Sequence, residues 1–234
     1  MDEEGRDEGT DDIIEFPLLK RLSIMDCPTE KFFSYTHGKK ELIINTSESQ
    51  DVCSDSFFNQ KVTFPNLREM EITSARCKDL WNNQTSTNSF CKLESLKLED
   101  CDNLQHIAPS QIWKRLQRCL KFLKVRSCHS IEIIYESDGT VTKSSKLRSL
   151  NLRSLESLRH IWPYDGLPSV PFPKFSSIYV RSCPLEVLFP AFTAEFLEQI
   201  EMLEVRCCKN LELTAGYGEC EEATETTITF SGVN

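Results

Sequence analysis

No stretch of this sequence approaches the roughly 18 consecutive apolar residues that a membrane-spanning helix needs. Nor does it begin like an exported protein: Met1 to Asp12 is acidic and dotted with glycine, without the positive start and apolar run of a secretory signal. Positive charge is in short supply, since 27 Lys and Arg stand against 36 Asp and Glu, for a net charge of −9. A nucleic-acid or anionic-membrane surface needs a basic excess to displace counterions, so neither is an expected partner of the chain as a whole. There is no Gly-x-x-x-x-Gly-Lys-Ser/Thr loop to cradle phosphates and no Cys-x-x-Cys pair to start a zinc site. Eleven cysteines, an odd number scattered over 234 residues, do not make a disulfide framework. The expectation is a cytoplasmic, non-catalytic chain with no cofactor and no metal.

What the sequence does have is a spaced apolar word, Leu-x-x-Leu-x-Leu-x-x-Cys with a further Leu or Ile three residues on. The clearest copy is Leu93, Leu96, Leu98, Cys101, Leu104 and Ile107. Two more follow in Leu120, Leu123, Val125, Cys128, Ile131, Ile134 and in Leu147, Leu150, Leu152, Leu155, Leu158, Ile161. Weaker copies begin at Leu19, Leu67, Phe175 and Ile200, giving about seven units. Starts at residues 67, 93, 120, 147, 175 and 200 keep the step inside the roughly 20 to 29 residues of a leucine-rich repeat. The expected fold is therefore an α/β leucine-rich-repeat solenoid, an open arc or horseshoe. It would have a concave parallel sheet of about seven short strands and an irregular or short-helical convex side.

The physical reading of one unit is simple. In the x-Leu-x-Leu-x core the leucines alternate with period two, pointing inward from a short strand while the intervening residues point out. The cysteine slot is where the chain leaves the strand and exposed carbonyls need a small hydrogen-bonding side chain; Cys27, Cys101, Cys128, Cys183 and Cys208 fill it and Leu155 replaces it. His106 and His160 occupy one slot in different repeats, so periodicity explains them without a catalytic role. Phe16-Pro17, Phe64-Pro65 and Phe172-Pro173, with Phe90 in the same place, precede strands; proline favours extended entry and phenylalanine can cap the core from the convex side. Pro109, Pro163 and Pro190 recur after the second inward turn as scaffold residues.

The step from Leu19 to Leu67 is too long by about twenty residues, which places a polar loop insertion at about 29–63, expected as a surface excursion. Residues 1–15 are expected to be an acidic, disordered segment, 16–213 the repeat domain, and 214–234 an acidic tail with the incomplete start of a further repeat. The absence of a polar capping unit is what a piece of a longer protein, or one that stops unusually early, is expected to show.

Reading only outward strand positions maps the candidate contact face. The column after the last strand leucine runs Met25, Thr73, Glu99, Arg126, Arg153, Arg181, Arg206, so four arginines fall in a row. Neighbouring parallel strands lie about 4.8 Å apart, which makes this a basic stripe. Arginine and tyrosine are frequent interface anchors, and the candidate protein-binding residues are Phe122, Lys124, Arg126, Arg153, Tyr179, Arg181 and Arg206.

Runs such as FPNLREMEI, FCKLESLKLEDCDNLQHI, LKFLKVRSCHSIEIIYE and LRSLNLRSLESLRHIWP resemble the C-terminal repeats of plant intracellular nucleotide-binding leucine-rich-repeat disease resistance proteins of the coiled-coil class. The likeness covers most of Phe16 to Leu213. It implies a region that helps to recognise a pathogen effector or a host protein and to keep its parent receptor inactive, through intramolecular contact with a nucleotide-binding module that this chain does not contain. The alternative on the same repeats is a stand-alone adaptor, such as a ubiquitin-ligase substrate-recognition subunit or a truncated decoy; the former would want an adjoining F-box.

Overall fold

A computed structural model describes residues 13–26, 56–58, 62–81, 85–135, 145–161, 174–189, 200–208, 211–214 and 228–231. In chain order its elements are the strands β1 (Ile14–Glu15), β2 (Arg21–Ile24), β3 (Ser56–Phe58), β4 (Val62–Thr63), β5 (Glu69–Thr73), β6 (Asp79–Trp81) and β7 (Ser95–Glu99). The helix α1 (Ser110–Gln117) comes next, then β8 (Phe122–Arg126), β9 (Ser149–Arg153), β10 (Ser177–Arg181), β11 (Val187–Phe189), β12 (Met202–Arg206), β13 (Glu212–Thr214) and β14 (Ile228–Ser231).

The main sheet has the order β14-β12-β10-β9-β8-β7-β5-β2. Seven of its strands, β2 to β12 in that order, are parallel, and each carries one copy of the spaced word. The fold is thus the expected leucine-rich-repeat solenoid. Register follows the repeat: Met70, Leu96, Leu123, Leu150, Ile178 and Leu203 form one inward column, and Ile72, Leu98, Val125, Leu152, Val180 and Val205 the other. All twelve side chains are buried. A slip of one residue would turn both columns to solvent, so burial locks the register.

The return side is less regular. It carries short parallel pairs, β3 with β6 and β11 with β13, and a single bridge between Ile133 and His160. Another such pair, β1 with β4, lies just ahead of the first two Phe-Pro turns, with the Phe16 N–H donating to the Thr63 carbonyl at 3.0 Å. Among the described residues α1 is the one helix. Pro109 stands at its N-cap in extended geometry, and its apolar face buries Ile112, Trp113 and Leu116. Trp113 meets Tyr135 edge-on at 5.5 Å, Gln117 Nε2 donates to the Tyr135 hydroxyl at 2.7 Å, and the Arg115 guanidinium reaches back to the Thr85 and Ser86 carbonyls. Pro163, Pro190 and the Phe172-Pro173 pair lie outside the described residues.

One expectation is corrected here. The end of the 29–63 segment is not a surface excursion, because Phe57, Phe58 and Val62 are buried and β3 pairs with β6 of the next unit. Phe58 lies 5.7 Å from Phe64, 5.9 Å from Trp81 and 5.5 Å from Phe90, and Phe16 stacks on Phe64 at 5.4 Å. The phenylalanines that precede the strands therefore join a buried aromatic cluster, and two phenylalanines from the supposed loop complete it. Residues 29–55, including Leu42, Ile43 and Ile44, lie outside the described set, as does Cys27. At the other end β14 runs antiparallel to β12, opposite in direction to a repeat strand.

Candidate functional site: the outward face of the sheet

Every unit leaves its strand through a residue with positive φ: Asp26, Ser74, Asp100, Ser127, Ser154, Ser182 and Cys207, with φ between 47° and 61°. In five of the seven this turn rotates the backbone so that the N–H points along the sheet. Ser74, Asp100, Ser127, Ser154 and Ser182 donate to the carbonyls of Glu99, Arg126, Arg153, Arg181 and Arg206, at 2.9 to 3.0 Å. The slot cysteines then approach those same carbonyls from the core side: Cys101 Sγ donates to the Glu99 carbonyl at 3.3 Å, Cys128 to Arg126 at 3.3 Å, Cys183 to Arg181 at 3.4 Å and Cys208 to Arg206 at 3.4 Å. The carbonyls of Arg126, Arg181 and Arg206 are thus held from two sides, and that of Arg153, where Leu155 stands in the cysteine slot, by the Ser127 N–H. The arginine side chains are left to project outward.

These thiols are structural. Burial pushes the Cys183 thiol up to about 12 and the Cys119 thiol up to about 11, while Cys128 is raised by its hydrogen bond with Cys101 and then by burial. The thiolate is the nucleophile and metal ligand, and it is disfavoured at Cys119, Cys128 and Cys183, whereas the hydrogen bond with Cys128 lowers Cys101. Among the described residues no group of three or more His, Cys, Asp or Glu could hold a metal ion, and no helix is long and apolar enough to cross a membrane.

All seven residues singled out from the sequence lie on the main sheet. Phe122, Lys124 and Arg126 come from β8, Arg153 from β9, Tyr179 and Arg181 from β10, and Arg206 from β12. Arg126, Arg153, Arg181 and Arg206 are direct partners in register on four adjacent strands. Phe122 is half exposed at 50%, an unusual place for a phenylalanine, and Met202 is 43% exposed on the same face, in contact with the Tyr179 hydroxyl. The exposed ring and the arginines give the face both an apolar anchor and a charge.

The arginines are not equivalent, a distinction that sequence reading missed. Arg126 Nη1 lies 3.0 Å from Glu99 Oε1 on the neighbouring strand, and Arg206 Nε lies 2.9 Å from Glu204 Oε1 two residues back on its own strand. Arg153 and Arg181 have no carboxylate partner among the described residues; the positions two residues before them hold Asn151 and Tyr179. Glu99 also receives Lys97 Nζ at 3.1 Å, and that hydrogen bond, with Arg126 and Lys124 adding their charges, holds the Glu99 carboxyl below its usual range. Lys97 in turn binds Glu71, so the acids Glu71 and Glu99 on β5 and β7 are matched by Lys97 and Arg126. Register arithmetic on the outward columns could have found Glu99 and Glu204, because Glu99 is the strand neighbour of Arg126 and Glu204 the next outward residue before Arg206.

Comparison with known families agrees with this architecture. A family profile described as plant disease resistance protein RPS2-like, leucine-rich repeats, matches residues 66–209, a span that runs from just before β5 to just after β12. Neither a search of curated proteins nor one of solved structures gave a match. With more than half of its 234 residues inside that profile and its strands in the repeat's own register, the chain belongs to the family of RPS2-like plant disease resistance leucine-rich repeats.

Proposed function

We propose that the outward face of the sheet is the surface through which this repeat region, a protein-interaction module of plant immunity, meets its protein partner. The partner is a pathogen effector or a host protein that effectors modify. The same face contributes to keeping the parent receptor inactive by contact with a nucleotide-binding module, in a cytoplasmic receptor of the coiled-coil class. The observation that carries this reading is the row of four in-register arginines, two of them without a carboxylate among the described residues, beside a half-exposed Phe122. Outward strand faces of repeat arrays are built for such use, since successive units present a continuous surface that need not change the core. No specific observation favours the adaptor reading.

The test is charge reversal. Arg126→Glu, Arg153→Glu and Arg181→Glu together, in the intact protein expressed in leaf tissue, should abolish the effector-dependent response or release an effector-independent one, with partner affinity down roughly tenfold or more. The melting temperature should hardly move, because these side chains are outside the core. A variant that keeps its fold and signals like the parent would remove this face from consideration.

A further inference from the structure

Among the described residues the arginine row is self-satisfied at both ends and without carboxylates in the middle. Glu99 serves Arg126 and Glu204 serves Arg206, while Arg153 and Arg181 face solvent side by side with neutral Asn151 and Tyr179 where carboxylates could stand. We infer that the central pair is a receptor for two carboxylates of an acidic protein segment, presented on one side of that segment and spaced to bridge adjacent strands. This rests on the reading of the face as a partner surface and adds the chemistry of what it takes.

The geometry sets the spacing. Arg153 and Arg181 are Cα partners on neighbouring strands, about 4.8 Å apart. Residues i and i+2 of an extended strand lie roughly 6.7 Å apart, a spacing to which two long, flexible side chains of like charge on neighbouring strands can spread. An extended segment crossing the sheet with acids at alternate positions places one carboxylate on each arginine. Each pair would be a charge-assisted, two-point contact, with two separate carboxylates giving each guanidinium its own fork where one phosphate must be shared. Binding also relieves the repulsion between the two cations, so the free state of the face is the less favourable one. Within the chain, Glu204, two residues before Arg206 on the same strand, shows that an arginine of this column takes a carboxylate from the outward face, in the position that Asn151 and Tyr179 leave neutral.

The experiment uses the whole chain and defined probes at low salt, read by the arginine Nε–H signals in NMR. The first probe is a short extended peptide with glutamates at alternate positions, Thr-Glu-Thr-Glu-Thr. The second has the same residues and net charge with the glutamates moved to the two ends, and the third is inorganic phosphate. The alternate peptide should shift the Arg153 and Arg181 signals together, with an affinity roughly tenfold above either control.

Asn151→Glu with Tyr179→Glu, which gives the pair its own carboxylates, should abolish that response. Arg153→Gln with Arg181→Gln, on side chains free of described partners, should do the same with no cost to folding. Equal response to all three probes, shifts centred elsewhere on the chain, no response, or an alternate-peptide signal that survives both variants would overturn the inference. Should the probes fail while charge reversal still alters signalling, the face stands and its acidic partner falls. Should the probes succeed while signalling ignores charge reversal, the acid-binding pair stands and its part in immunity falls.

Discussion

At the scale of single residues, the turn that ends each strand carries a strain that the repeat accepts seven times. Left-handed geometry costs a residue with a Cβ about 1 kcal/mol, and only glycine adopts it freely. Here it is held mostly by serine and aspartate, because the N–H it aims along the sheet pairs with a carbonyl of the next unit. Ser154 is the cleanest place to weigh this, with φ at 52° and its N–H 2.9 Å from the Arg181 carbonyl. Ser154→Gly should raise stability by about 0.5 kcal/mol, the relief of strain exceeding the added freedom of the unfolded chain, and Ser154→Val should lower it by about 2 kcal/mol. Urea midpoints of the two variants check this, and a glycine variant less stable than the valine one would refute the strain account. None of it was visible in the sequence, because serine is an ordinary strand-end residue and no glycine marks the position.

At the scale of elements, legibility tracked periodicity. The seven main strands were readable because their inward leucines repeat in fixed register, whereas β3, β6, β11 and β13 have three residues each and no period to betray them. The insertion misled because polar residues dominate its middle, and composition hid the apolar pair at its end. Phe57 and Phe58 are fully buried, and Phe58 touches Phe64, Trp81 and Phe90, so it joins three successive units. Phe58→Ala should cost about 3 to 5 kcal/mol, the figure for deleting a buried aromatic ring. Leu18→Ala, on a side chain 88% exposed, should stay within about 0.5 kcal/mol. Comparable losses in chemical denaturation would mean that the segment packs no more firmly than a surface turn.

At the scale of the whole molecule, the candidate site was half legible. The arginine row followed from aligning the units, yet which arginines are occupied depends on a carboxylate one strand away for Arg126 and two residues away for Arg206, a matter of register and reach rather than of residue type. The same one-dimensional logic governs stability. Each strand of the stack pairs only with its neighbours, so stability is a sum of units and of interfaces between adjacent units. Among the described residues the aromatic cluster of Phe16, Phe58, Phe64, Trp81 and Phe90, with Trp113 on Tyr135, braces the units on the β5 to β8 side of the stack. Leu150 sits in the inward column of β9, between Leu123 and Ile178, and is fully buried. Leu150→Ala removes about 2 to 5 kcal/mol at a middle position, enough to weaken the interfaces on both sides of one unit. A globular core would answer with a uniform loss and an unchanged denaturation slope. A stack should instead come apart in two steps, with the amides of β10 and β12 exchanging first and those of β5, β7 and β8 staying protected to higher denaturant. Hydrogen exchange followed along the chain distinguishes the two, and synchronous loss of protection from β5 to β12 would show that the units do not act as separable neighbours.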